Sequence, residues 1–351
     1  MDRACNYTKQ TSITVEAENT FKSAFNLNTV QGEVPGSTPE IPGLTISGLG
    51  VEDPVLTLSP PENIQPTEKF INEVKSDAKS KVLVHENQNI LDHVNTLIKQ
   101  GHFLKLTKLE QTDATWKSFI YNLPRSTMKW ALNSSIDTLP TKVNLKLWGK
   151  RVNDKCFCGQ RQTLNHVLNC CNQSLDQGRY TARHDSILNF ISQCLDSKKY
   201  KCFIDLEGHQ TQSGGTIPPS ILVTTLKPDI VIVDRQAKTV KIFELTVPGE
   251  TRLEVAHRLK YEKYQHFVSD IKSHTASVIP FEIGSNTGLI NRENRKSLHT
   301  LHSFCKKDVK FKKFVQNISA ISILSSYYIF NCRNQEGWAP PGHILAPFSN
   351  Q

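Results

Sequence analysis

Two short runs of β-branched and apolar residues constrain this chain more than any other feature. They are Pro228-Asp229-Ile230-Val231-Ile232-Val233-Asp234 and Val240-Lys241-Ile242-Phe243-Glu244-Leu245-Thr246-Val247. Only Arg235-Gln236-Ala237-Lys238-Thr239 separates them, a short turn, so the pair reads as a β-hairpin that Pro248-Gly249 closes. An antiparallel hairpin sets the start of its first strand beside the end of its second, which brings Asp229 next to Glu244. Pro228 fixes the backbone ahead of Asp229 and removes a donor, as suits the first residue of a strand. Glu244 lies between Phe243 and Leu245, and a carboxylate amid such neighbours is costly unless paired or metal-bound. Either acid alone would read as surface decoration. Together they match what metal-assisted phosphodiester cleavage needs, oxygen ligands that hold Mg²⁺ or Mn²⁺ against a phosphate. Asp234, just ahead of Arg235, is ordinary turn chemistry.

The next segment is helical from about Leu253 to Lys272. Lys260 and Tyr264 are four apart and share a face with Ala256, with Lys263 just beside them. Arg252, Arg258, Lys260 and Lys263 make this helix a phosphate grip and a source of a catalytic lysine, with Lys263 a rival to Lys260. Upstream, Tyr180 to roughly Asp196 is a helix carrying His184, Leu188 and Ile191 on one face, and Gly208 to Pro219 is a loop. Downstream, Lys310–Phe330 forms a helix. The order helix, hairpin, helix gives an α/β domain over 175–340, ahead of a tail at 341–351.

Four of the nine cysteines crowd into Cys156-Phe157-Cys158-Gly159 and Cys170-Cys171, with His166 between them. Zinc takes four soft or borderline ligands in a tetrahedron, and short loops bearing Cys and His supply them. Gly159 suits a tight turn around the metal. Leu164 and Leu168 place His166 on a short helix, from which Cys170 and Cys171 are both within reach, so spacing leaves the fourth ligand open.

Residues 65–150 form a helical linker: Phe70, Val74, Val82, Leu91, Val94, Leu97 and Ile98 recur at helical intervals. Helices follow at Ala114–Leu123 and Ser126–Asn133, and Pro140 breaks the pattern. Residues 1–64 are rich in Pro, Thr, Ser, Glu and Gly and carry a net charge of −5, which reads as a disordered acidic leader. The remainder carries +14, and a basic body points to a polyanionic partner, nucleic acid first. The most apolar run, Val315 to Phe330, is interrupted by Gln316, Asn317, four serines and two tyrosines, so no membrane partner is expected. With no signal-peptide pattern, the chain reads as intracellular.

Taken in order, these residues resemble the C-terminal part of a non-LTR retrotransposon polyprotein of the site-specific, early-branching type. The resemblance covers roughly 110–335. It rests on Leu139-Pro140-Thr141 with Trp148; Cys156, Cys158, His166 and Cys171; Gly178-Arg179-Tyr180; Arg183-His184-Asp185; Lys227-Pro228-Asp229; Glu244; and Lys260 with Tyr264. It implies a helical linker, a CCHC-type zinc knuckle at 151–174 and a restriction-endonuclease-like core of the PD-(D/E)xK type. It also implies Mg²⁺ or Mn²⁺ on Asp229 and Glu244, and Zn²⁺ on Cys156, Cys158, His166 and Cys171. Lys260 is then the displaced lysine of the nuclease, consistent with Thr246 standing where other nucleases of this fold place theirs. His184 and Tyr264 lie at the site, and Arg183, Arg258 and Lys263 contact nucleic acid. The implied partners are target DNA and the element's RNA, in the nucleus. No Tyr, Ala or Val followed by Asp-Asp occurs, so the polymerase motif of that family is absent.

A second reading is a nucleic-acid-binding module without catalysis. Its surfaces would be Lys198-Lys199-Tyr200-Lys201 and the lysine-rich run from Cys305 to Phe314. The aromatics of that run offer some stacking, although Val309 and Phe314 sit at core spacing.

Overall fold

The computed structural model describes residues 68–97, 119–150, 153–339 and 341. The leader at 1–64, Ile98, the start of the expected 114–123 helix and nearly all of the tail lie outside the described residues. The chain divides into two units, Met1–His93 and Val94–Gln351. Helix α1 (Glu68–Thr96) covers the described part of the first. Its helical interval is as the sequence predicts, but Val74 and Val82 are exposed, and only Leu91 and Val94 are half-buried. Local i,i+4 pairs such as Asp77–Lys81 at 2.7 Å line it instead.

In the second unit a turn at Ile120–Asn122 leads to α2 (Arg125–Ser135) and α3 (Lys142–Leu147). The cysteine segment ends in a π-helical turn, His166–Cys170, and α4 (Asn172–Asp176). Then come α5 (Arg179–Cys194), β1 (Lys201–Ile204), β2 (Ile230–Asp234), β3 (Thr239–Thr246), α6 (Leu253–Asp270), β4 (Thr275–Glu282), α7 (Arg292–His302) and α8 (Phe311–Asn331). The fold is mixed α/β, with one four-stranded sheet in the order β1-β2-β3-β4. The first three strands pair antiparallel, whereas β3 and β4 are parallel, joined through α6 as a βαβ crossover.

Strand parity explains the layers. Ile230, Ile232, Phe243 and Leu245 face a core shared with Ile187, Ile191 and Phe314 of α5 and α8. Val231, Val233, Val240 and Ile242 face the opposite way, into a core with Tyr264 of α6. A sheet covered on both faces needs continuous apolar strands, which is what the two runs supply. Asp234 closes the hairpin turn, its Oδ1 accepting from the Gln236 and Ala237 amides at 3.0 Å each.

A third cluster joins Leu164, Val167 and Leu168 of the cysteine segment to Trp130, Phe330 and the middle of α8. The linker residues after 118 and the cysteine segment therefore belong to the same unit as the sheet. α8 is buried on most sides. Gly288, at φ +66°, lets a loop approach it where any Cβ would stand 2.6 Å from the Ser319 carbonyl oxygen. Among the described residues, no helix is long and apolar enough to cross a membrane.

Glu250 is an acid the sequence does not single out, yet it is buried. Its Oε1 accepts from the Asn286 amide at 2.9 Å, the Thr287 amide at 2.7 Å and the Thr287 hydroxyl at 2.9 Å, while Oε2 takes no hydrogen bond. Burial pushes its pKa above the ordinary 4.5 even though those donors oppose the shift. The folded state then holds the proton more tightly than the unfolded one. The group's contribution to stability therefore falls as pH rises from the unfolded pKa through the raised folded one. Glu250→Gln is expected to gain on the parent in thermal midpoint as pH rises above the ordinary carboxylate range. A constant difference through that rise would contradict a raised pKa.

Candidate active site and metal centre

The register pairs Ile230 with Phe243, so the next residues out, Asp229 and Glu244, stand opposite each other at one end of the hairpin. Residues paired across the ladder project to the same face, here the one covered by α6. Both acids are buried. The Asp229 amide donates to Glu244 Oε2 at 3.1 Å, and the Leu245 amide donates to Asp229 Oδ2 at 2.7 Å. The backbone of each strand thus fixes the carboxylate of the other.

Helix α6 brings Lys260 to this pair, its Nζ 2.6 Å from Glu244 Oε1. Tyr264, one turn on, is fully buried beside Glu244. Burial first, then the charges of Glu244 and Asp229, hold its hydroxyl well above the ordinary phenol range. From the other side, α5 contributes His184, whose Nε2 lies 3.2 Å from Asp229 Oδ2 while Nδ1 lies 3.1 Å from Asp185. Burial works against charge on this ring, but hydrogen bonds to Asp185 and Asp229 and their charges outweigh it and raise the pKa to about 9. Glu244 is also pushed up, by burial and by the charge of Asp229, against the pull of Lys260. Four elements thus converge on one constellation.

The remaining expected contacts fall elsewhere. Lys263 Nζ meets the Tyr264 hydroxyl at 3.0 Å rather than either carboxylate. Arg258 is exposed and reaches only toward Glu262, at 3.9 Å. Arg183, expected at the phosphate, lines the open groove beside Lys260 but is mostly engaged inside the protein. Its guanidinium is buried, donating to Ser326 Oγ at 3.1 Å, Asn169 Oδ1 at 3.3 Å and the Val247 carbonyl at 3.1 Å. Burial lowers its pKa to about 10. Arg183 therefore ties α8, the cysteine segment and the end of β3 together. Arg179 plays a similar part, donating to the Cys332 and Gln335 carbonyls at the end of α8.

Sequence reasoning missed a second acid beside the helix that carries Lys260. Glu282 of β4 is wholly buried and takes His257 Nδ1 at 2.9 Å, one turn before Lys260. Its signal was present in the apolar surroundings of Phe281 and Ile283.

The cysteine segment builds its own centre. Gly159, at φ +84°, turns the chain so that the Cys156 amide reaches the Gln160 carbonyl at 2.7 Å. Ligand atoms of Cys156, Cys158, His166 and Cys171 all lie within 4.8 Å of one another. The Cys171 thiol sulfur is 3.8 Å from that of Cys156 and 3.9 Å from that of Cys158, and Cys158 Sγ is 3.2 Å from His166 Nε2. Tetrahedral zinc with ~2.3 Å bonds to sulfur sets its sulfurs roughly 3.8 Å apart, so the donor set fits such a metal. Cys171, not the exposed Cys170, completes it. Tyr180 braces this centre from α5: its hydroxyl accepts from the Cys171 amide at 2.9 Å and faces the Val167 carbonyl at 3.0 Å.

Between the two centres runs an open groove of about 470 Å³, lined by Asn165 and Asn169 of the cysteine segment and by Thr246, Arg252 and Lys260 of the sheet side. No protein-family model and no curated protein matches the chain.

Proposed function

We propose that this chain is a metal-dependent DNA endonuclease with a restriction-endonuclease-like core, derived from a site-specific non-LTR retroelement and acting in the nucleus. The observation that carries the reading is the convergence of Asp229, Glu244 and Lys260 at one end of the sheet. Two buried carboxylates stand side by side here, and burial together with the charge of Asp229 pushes Glu244 upward even with Lys260 beside it. Their oxygens suit a small hard cation such as Mg²⁺ or Mn²⁺, and Asp229 Oδ1 lies outside the protein contacts that occupy Oδ2. A cation held there lowers the pKa of a water and offsets the charge that gathers on a phosphate during attack.

The chain's own residues do the rest. Glu244 orients the Lys260 ammonium, and that ammonium can donate to the attacking water or to a phosphate oxygen. The Leu245 and Asp229 amides keep the carboxylates in place, so little reorganisation is needed when the phosphodiester P–O bond breaks and water adds to phosphorus. His184 holds the same Asp229 oxygen, Oδ2, that accepts the Leu245 amide. The groove beside Lys260, with Arg252 at its edge, gives a DNA strand a path past the acids. A basic body favours that polyanion.

Lys260→Met should lower plasmid nicking in Mg²⁺ by about 10²-fold or more, whereas Lys263→Met should stay within a few-fold of the parent. Equal losses at the two positions would remove the assignment of Lys260. The resemblance to the retroelement endonuclease supports the substrate class.

A further inference from the structure

Two lysine clusters more than a hundred residues apart in sequence meet on one surface. An antiparallel bridge between Leu195 and Cys305 joins them, backed by Asp196 N to Phe304 O at 3.0 Å and Lys306 N to Cys194 O at 2.9 Å. Lys198, Lys199 and Lys201 come from one segment and five lysines between 306 and 313 from the other, all exposed. The acids beside them are Asp196, Asp308 and, across from Lys199, Asp234. Asp196 is already committed, its Oδ1 accepting from the Lys198 and Lys199 amides. Among the described residues, none of these lysines forms an ion pair at the distances seen elsewhere in the chain. The hairpin tip extends the surface with exposed Arg235 and Lys238.

The interleaved aromatics point the other way. Phe304 and Phe314 are buried, and Val309 and Phe311 pack against the same core. Core packing of Val309 and Phe314 is what their spacing suggests, so this run offers charge, with Tyr200 of the other segment lying under Lys199.

Its position sets it apart from the acid pair. Helix α5 runs from His184, at the acids, to Cys194, at the lysines, roughly 15 Å at 1.5 Å per residue. Strand β2 measures the same separation, from Asp229 at one end to Asp234 and the hairpin turn at the other. A strand seated on Lys260 would have to leave the groove and run about 15 Å along α5 to reach this surface. We infer that the lysine surface binds the phosphate backbone of a second nucleic-acid segment, independent of the one at Asp229 and Glu244 and without reading its sequence.

The test measures binding of a labelled short DNA duplex and, separately, an RNA hairpin to the full chain between about 50 and 200 mM salt. The variants replace Lys199, Lys201, Lys307 and Lys310 together, once by Glu and once by Gln, with circular dichroism to check folding. Expected is a loss of about tenfold or more for the Glu set, a smaller loss for the Gln set, and a salt slope reduced by up to about 3.6, since each of the four phosphate contacts contributes ~0.9. Loss on DNA, RNA or both supports the surface and names the source of the backbone. Parental affinity and slope for both polymers in both variants would overturn it. Binding and its loss in the lysine variants are read without cleavage, so a parent that fails to nick plasmid removes the nuclease reading while leaving this one standing.

Discussion

Asp229→Asn is expected to nick supercoiled plasmid in Mg²⁺ about 10³-fold more slowly than the parent, while unfolding at the same temperature or higher. The two halves of this expectation come from the same geometry. Asparagine keeps an oxygen where Asp229 Oδ2 accepts the Leu245 amide at 2.7 Å, so no buried donor is orphaned. It removes one of two neighbouring buried negative charges, which relieves the repulsion and burial cost that push Glu244 upward. The contact to His184 loses its charge, which offsets part of that gain. Alanine at 229 would instead strand the Leu245 N–H at a cost of about 1–3 kcal/mol, so it confuses folding with chemistry. A catalytic acid should cost activity and leave stability, and a structural acid should do the reverse. An Asn variant that nicks at the parental rate, or one that loses several degrees without losing activity, would sink the assignment. So would a parent with no nicking at all.

The acid pair was legible because it follows from strand parity. Once the turn at 235–238 and the two β-branched runs are recognised, the register leaves Asp229 opposite Glu244 with no further information. The lysine was half-legible. Lys260 and Lys263 are three apart on a helix, and only the tilt of α6 across the sheet decides that Lys260 meets Glu244 and Lys263 the Tyr264 ring. Arg183 was half-legible: an arginine beside a site histidine suits a phosphate contact or an internal tie equally well. The partners that make it a tie, Ser326 and Asn169, come from distant segments. Long-range pairing also hid the bridge between Leu195 and Cys305, since neither segment has a strand pattern of its own. Helix α1 shows the opposite failure. A helical interval of apolar residues announces the helix correctly, but nothing in it says whether a partner covers that face.

Cys171→Ser is expected to lose the bound zinc and to lower the unfolding midpoint by about 10 °C, whereas Cys170→Ser keeps one zinc per chain and moves the midpoint by a degree or so. The adjacent cysteines differ in direction. Cys171 leaves the π-helical turn inward, to the sulfurs of Cys156 and Cys158, while Cys170 is exposed and reaches only the Asn165 side chain at 3.7 Å. An exposed thiol outside any cluster contributes within ±0.5 kcal/mol. A structural metal ligand is worth far more, because site and fold form together. The loss stops short of what isolated zinc modules suffer, since Leu164, Val167 and Leu168 remain anchored against Trp130 and Phe330. Metal analysis with thermal melts of both single variants decides the matter, and the double variant shows whether Cys170 swings in to replace its neighbour. One zinc retained by Cys171→Ser but lost on adding Cys170→Ser would mean the turn is pliant and the fourth ligand interchangeable. If the turn is rigid, the Cys171 variant should also nick poorly with Asp229 intact. Asn165 and Asn169, which form one wall of the groove beside Lys260, flank or lie within the turn that carries the candidate ligand His166 and leads to Cys171.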